Sequence, residues 1–176
     1  MRRLVYAVAT SLDGFIAGPR GEYDWITPDS GVDFAALYSR FDTLLMGRRT
    51  YDVAKTRPGL LTGTGMKIVV ASTTLDSATH AGFTIVGRDL PTAITAIKAE
   101  AGKDIWLMGG SVLFRSLIDV GLVDEVNVSL FPVMLGSGVP LMPEGSRVHL
   151  RLNESKALRS GVLMLSYAVV ASATKA

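Results

Sequence analysis

Three short segments of this chain set glycine, arginine or hydroxyl residues directly after an apolar run, an arrangement that suits the holding of phosphate. Met46-Gly47-Arg48-Arg49-Thr50 is the first. Its glycine lets the backbone approach an anion, Arg48 offers a planar charged fork, and Thr50 adds a hydroxyl where a helix would open. Met108-Gly109-Gly110-Ser111 repeats the pattern with paired glycines, which serve either contact with a diphosphate or a tight strand-to-helix turn. Ala71-Ser72-Thr73 ends an apolar run with two hydroxyls, each an ordinary turn residue when taken singly. Two further segments read as loops. Ser11-Leu12-Asp13-Gly14-Phe15-Ile16-Ala17-Gly18, with Asp24-Trp25 beyond it, would fold over a ligand as a lid, Trp25 shielding the chemistry from water. The plainer alternative is a surface turn in which Asp13 bonds its own backbone. Pro132 to Leu141 is a glycine- and proline-rich exit from a strand.

Other chemistries are excluded by what is missing. Neither G-x-G-x-x-G nor G-x-x-x-x-G-K-[ST] occurs, so the Rossmann and P-loop fingerprints are absent. With no cysteine there is no disulfide, thiol nucleophile, iron–sulfur cluster or thiolate zinc site. His80 and His149 stand far apart and form no i, i+4 pair, so no metal is expected. The net charge of +2 comes from 18 basic and 16 acidic residues scattered along the chain, giving no basic stripe for nucleic acid or a membrane surface. Arg2-Arg3 before an apolar stretch faintly resembles a signal peptide, but Thr10, Ser11 and Asp13 interrupt it and a first strand is the better reading.

The elements that must position these segments alternate between β-branched runs and helical stripes. Strands are expected at Leu4 to Ala9, Thr43 to Met46, Ile68 to Ala71, Phe83 to Val86 and Ile105 to Met108. Phe34, Leu37, Tyr38 and Phe41 fall on one stripe of a helix that Asp33 would cap. Pro91 opens a second helix before Ile94 and Ile97, and Leu113, Leu117 and Ile118 mark a third that ends by Gly121. Val126 to Val133, Leu150 to Leu158 and Val162 to Val170 then follow without helices between them, the last two as a hairpin across Arg159-Ser160-Gly161. At 176 residues, with 48% apolar composition and no repeat or linker, this is one α/β domain with an antiparallel edge on a mostly parallel sheet.

In this order and spacing, V-x-x-S-L-D-G, L-M-G-R-x-T, I-V-V-A-S, M-G-G-x-x-L and P-V-x-L-G-x-G-x-P-L resemble the dihydrofolate reductase superfamily. The similarity is strongest to the C-terminal reductase domain of bacterial riboflavin-pathway deaminase-reductases and its free-standing relatives, over about residues 3 to 170. The resemblance implies a three-layer α/β/α fold and NADPH as hydride donor. It implies that Gly47, Arg48 and Thr50 bind the cofactor, with Arg48 near the 2′-phosphate. Ser72 would face the adenosine side, Gly109, Gly110 and Ser111 the diphosphate, and Ala9, Ile16 and Ala17 the nicotinamide. Ser129 and Trp25 would lie on the substrate side.

For the proton donor the resemblance implies two candidates. Dihydrofolate reductases place a carboxylate at the start of the helix before L-M-G-R, where this chain has Asp33; the deaminase-reductase branch points to the S-L-D-G aspartate, Asp13. Asp33 would open a helix, whose positive end favours the ionised form, whereas Asp13 would follow a strand at the carboxyl edge of the sheet. On that argument Asp13 is expected to be the more consequential. The implied activity is reduction of a pyrimidine- or pteridine-like heterocycle, with a cytoplasmic homodimer as the expected form. Phe15 stands where riboflavin-pathway reductases usually carry a basic residue, so recognition of a phosphoribosyl group is not implied. The alternative from another class is an NADP-binding protein without reductase turnover.

Overall fold

The computed structural model describes residues 1–57, 59, 61, 63–80 and 82–170. Its centre is an eight-stranded sheet. In chain order the strands that build it are β1 (Leu4–Ser11), β3 (Phe41–Gly47), β4 (Lys67–Ala71), β5 (Phe83–Val86), β6 (Asp104–Gly109), β7 (Glu125–Phe131), β9 (His149–Ala157) and β10 (Leu163–Val170). They lie in the order β5-β4-β3-β6-β1-β7-β10-β9. The first six are parallel; β10 runs antiparallel to both β7 and β9 and forms the outer hairpin.

Parallel strands covered on both faces need apolar residues at consecutive positions, and Leu4, Val5 and Tyr6 are all fully buried. Leu4 and Tyr6 face α3 (Leu90–Ala99) and α4 (Ser111–Asp119), with Leu107, Ile94, Phe114 and Leu117 around them. Tyr6 stacks on Phe114 at 3.8 Å between ring centroids. Val5 belongs to the other face, with Leu44, Met46, Val70, Tyr51 and Ala54, under α1 (Phe34–Ser39) and α2 (Arg48–Ala54). The result is three layers, as the resemblance implies.

Three local expectations are corrected. Phe41 does not extend the α1 stripe: the helix stops at Ser39, and Phe41, 4% exposed, opens β3 opposite Asp104. A strand bonded to neighbours on both sides outweighs one more turn of a short helix. The Phe15 region and the Pro132 to Leu141 segment are not purely loop. They supply β2 (Phe15–Ala17) and β8 (Val139–Pro140), which pair antiparallel as a small second sheet. Gly138 makes this possible, since a Cβ there would meet the Ala17 carbonyl oxygen. The third strand-end expectation shifts as well: β7 runs from Glu125 to Phe131, so Pro132 and Val133 lie beyond it.

Candidate active-site cleft

A cleft of about 1690 Å³ opens on the α1/α2 face of the sheet. Its position follows from the layers, because two short helices cannot cover all eight strands and the face of β1, β6, β7 and β10 stays accessible. Residues of the loop from Pro19 to Val32 line the cleft as well. Tyr23 of this loop meets the Arg57 guanidinium at 4.5 Å from its ring centroid, and Asp29 accepts a hydrogen bond from the Ser160 hydroxyl of the outer hairpin.

One half of the cleft is made where β3, β4 and β6 end. Gly47 and Gly110, far apart in sequence, approach so closely that a Cβ on Gly47 would lie 3.7 Å from the Gly110 nitrogen. Thr50 Oγ1 would stand 3.8 Å and 3.5 Å from a Cβ on Gly109 and Gly110. Gly109 takes φ +134°, a conformation that side chains disfavour, and its peptide bond to Gly110 is cis. Gly110 caps α4 without a side-chain hydrogen bond, so the first N–H groups of that helix keep their capacity to bind an anion. Buried Ser111 follows at the cleft wall.

Arg48 lines the same half. Its Nε donates to Asp52 at 2.8 Å and its Nη1 to Thr74 Oγ1 at 3.2 Å, so the guanidinium is held between α2 and the loop after β4. Lys55 and Arg48 together keep Asp52 below the usual carboxylate range. Ser72 lines the cleft too, but its hydroxyl accepts the Thr74 and Leu75 N–H groups at 3.2 Å and 3.1 Å and shapes that loop. Among the residues expected at the nicotinamide, Ala9, Ile16 and Ala17 all line the cleft.

The other half has an apolar and aromatic wall with polar residues along one strand face. Trp106 stacks on Tyr38 of α1 at 5.6 Å and donates its indole N–H to the Ala7 carbonyl at 2.9 Å. Asn127 and Ser129 on β7 stand opposite Ser166 and Met164 of β10. Beneath them the Arg40 fork donates to both Glu125 oxygens at 2.7 Å, with Asp104 at 3.0 Å from Arg40 Nε. Burial raises the Glu125 carboxyl, but hydrogen bonds from Arg40 and Asn127 and the charges of Arg40 and Arg3 outweigh it and leave the group below its ordinary value.

The two carboxylates separate clearly. Asp33 lines the cleft, exposed, and accepts the Ala36 N–H at 2.9 Å as the cap of α1. Asp13 does not line it. Its oxygens accept the Ser11 hydroxyl at 2.6 Å and the Leu135 and Gly136 N–H groups at 3.1 Å and 2.7 Å. The Ser11 hydroxyl, helped by those two amides, holds Asp13 below the usual range. These contacts weigh against Asp13 as the proton donor: its acceptor sites are taken and its carboxyl is shifted away from neutrality, opposite to what a proton donor needs. Its physical task is to tie the S-L-D-G turn to the loop before β8.

Trp25 also stands apart from the lining. It is absent from the cleft lining and packs edge-on against Phe131 at 5.6 Å, behind Ala9 and Met164. Sequence reasoning missed Arg40, Trp106, Glu125 and Asn127. One signal was available: in Glu125-Val126-Asn127-Val128-Ser129-Leu130 the polar residues recur at every second position, which marks a strand with one polar face. Glu154 and Asp29 are further carboxylates of the lining.

Comparison with known proteins agrees with this architecture. The model of the RibD C-terminal domain family matches residues 2–164. The uncharacterised protein YyaP of Bacillus subtilis (strain 168) is 33% identical over 179 residues, covering 94% of each chain. The crystal structure of a putative riboflavin biosynthesis protein from Shewanella sp. PV-4 superposes with a TM-score of 0.81 at 28% identity, over 97% of this chain and 99% of that one. Dihydrofolate reductase from Enterococcus faecalis, complexed with NADP(H) and RAB-propyl, gives 0.69 at 19% identity, over 95% and 96%. At that identity the likeness is one of fold. No helix among the described residues is long and apolar enough to cross a membrane.

Proposed function

Because the chain belongs to the RibD C-terminal domain family, we propose that it is an NADPH-dependent reductase acting on a pyrimidine- or pteridine-like heterocycle. The observation that carries this reading is the meeting of Gly47, Thr50, Gly109 and Gly110 at one end of a cleft whose other end is walled by Trp106 and edged by Asn127 and Ser129. NADPH, when bound, supplies the hydride. The chain's own groups hold and orient. Uncapped amides at the start of α4 and the Thr50 hydroxyl suit a diphosphate, and the anchored Arg48 suits a 2′-phosphate. Small Ala9 and Ala17 leave space for a flat ring. The Trp106 wall keeps water from the reacting pair, and Asp33 is the lining carboxylate assigned to hold a proton at the substrate edge.

Fluorescence titration with NADPH and NADH, followed by turnover of pterin, folate and aminopyrimidine substrates, tests the reading. NADPH binding with oxidation in the presence of one of these substrates supports it, and failure to bind either nicotinamide overturns it. A second reading, cofactor binding without turnover, is favoured by the engagement of Asp13 outside the cleft; it predicts NADPH binding with no oxidation across the panel. We place the protein in the cytoplasm as a homodimer seated on the outer hairpin. All nine residues of β9 are exposed there and Leu152 is 51% exposed, an edge that a second copy would cover. A monomer by sedimentation would refute the dimer.

A further inference from the structure

In the substrate half, one buried polar group has no hydrogen-bond partner among the described residues. Asn127 sits in the middle of β7, on the same face as Glu125 and Ser129, and lines the cleft. Its side-chain amide lies against the Glu125 carboxylate and helps to hold that group below its ordinary value. Its Oδ1, shielded from water, accepts nothing among the described residues. A buried acceptor left in this state costs stability, and a bound molecule that donates to it would recover the loss.

The orientation of the amide is decided beneath it. Glu125 takes the Arg40 fork on both oxygens at 2.7 Å, Arg3 at 3.3 Å and the Ser166 hydroxyl at 3.3 Å, so it is ionised and only accepts. Rotating the Asn127 amide by half a turn would set its oxygen against that carboxylate. The nitrogen therefore faces Glu125 and the oxygen is turned away from it. Ser129, the neighbour along the strand, carries a hydroxyl that donates or accepts as required, whereas the Ser166 hydroxyl opposite gives its proton to Glu125 and can only accept. Asn127 and Ser166 therefore both present acceptors here, and the Asn127 oxygen has no partner among the described residues.

Resting on the reductase reading, we propose that Asn127 is a specificity-determining residue of this cleft: its Oδ1 accepts a hydrogen bond from a ring N–H or exocyclic amine of the heterocycle, and Glu125 and Arg40 are positioning residues that keep it an acceptor. A site built to bond a polar group discriminates strongly against analogues that lack it. Heterocycles with an N–H on that edge are accepted, and fully N-alkylated ones are refused.

The test titrates the protein, with and without NADPH, with 2,4-diaminopyrimidine and with 2,4-bis(dimethylamino)pyrimidine, which has no N–H. The wild-type protein should prefer the first by about tenfold or more. Asn127→Leu, close in shape and without an acceptor, should bring the preference to about twofold or less by weakening the first probe, with NADPH affinity unchanged. Glu125→Gln, which lets the amide turn over, should compress the same ratio; should that variant not fold, Asn127→Leu decides alone. An unchanged ratio in Asn127→Leu, or no binding of 2,4-diaminopyrimidine to the wild-type protein, overturns the proposal. Asn127-dependent preference in a protein that ignores NADPH would refute the reductase reading and leave this inference standing.

Discussion

Replacing Arg48 by alanine tests the cofactor assignment most directly, because the structure sets both the size and the selectivity of the effect. The guanidinium is anchored by Asp52 at 2.8 Å and Thr74 at 3.2 Å, so it is already ordered before any phosphate arrives. A hydrogen bond to a charged group contributes about 1.5–3 kcal/mol. The Arg48 side chain is 39% exposed and shares its charge with Asp52, so screening places the effect toward the lower end, about 1.5–2 kcal/mol. That corresponds to about a 10–30-fold rise in the Kd for NADPH. NADH has no 2′-phosphate, and its Kd should move by about twofold or less. Arg48→Lys keeps the charge without the fork and should fall between the two. Raising the salt concentration should narrow the wild-type preference for NADPH, since the contact is partly exposed. The assay is quenching of protein fluorescence by each nucleotide, with Trp106 in the cleft wall as reporter. Equal losses for both nucleotides, or an unchanged NADPH-to-NADH ratio, would refute the 2′-phosphate role of Arg48 and turn attention to the adjacent, exposed Arg49.

Gly110→Ala should keep the fold and lose NADPH: its methyl would sit 3.5 Å from Thr50 Oγ1, an ordinary contact, yet occupy space where the backbone must meet the diphosphate. An unchanged circular dichroism spectrum with retained NADPH affinity would reduce the glycine pair to a turn. Asp33→Asn, which keeps an acceptor for the Ala36 N–H, should lower kcat by about a hundredfold or more at unchanged cofactor affinity, while Asp13→Asn should lower Tm and leave kcat within a few-fold. The reverse ranking in steady-state rates would return the acid role to Asp13. Glu125 is held below its ordinary value in the fold, so it contributes stability above the unfolded carboxylate range and loses it as pH falls through the folded value. Thermal melts between neutrality and pH 3 should therefore fall off more steeply in acid for the wild-type protein than for Glu125→Gln; parallel acid limbs would contradict this.

The amino-acid sequence by itself determined the alternation of strands and helices and the place of most strands. Alternation of β-branched runs with helical stripes is local information, and so are Pro91 at a helix start, Asp33 as a cap and glycines at strand exits. Gly47, Arg48, Thr50, Gly109 and Gly110 could be singled out for the same reason, with a tight turn as the open alternative, and their cofactor role was implied by the resemblance. β2 and β8 were not legible: their residues read as loops, and only their pairing with each other makes them strands. What the sequence could not settle was which of two aspartates lines the cleft. Asp13 and Asp33 both sit in turn-like surroundings, and the difference between them is made by Leu135 and Gly136, more than a hundred residues from Asp13, whose N–H groups occupy its oxygens. The same holds for the polar floor. Asn127 becomes a directional acceptor only because Arg40 at the end of α1 reaches across the sheet to Glu125, and hydrogen-bond direction is decided by partners that meet in three dimensions.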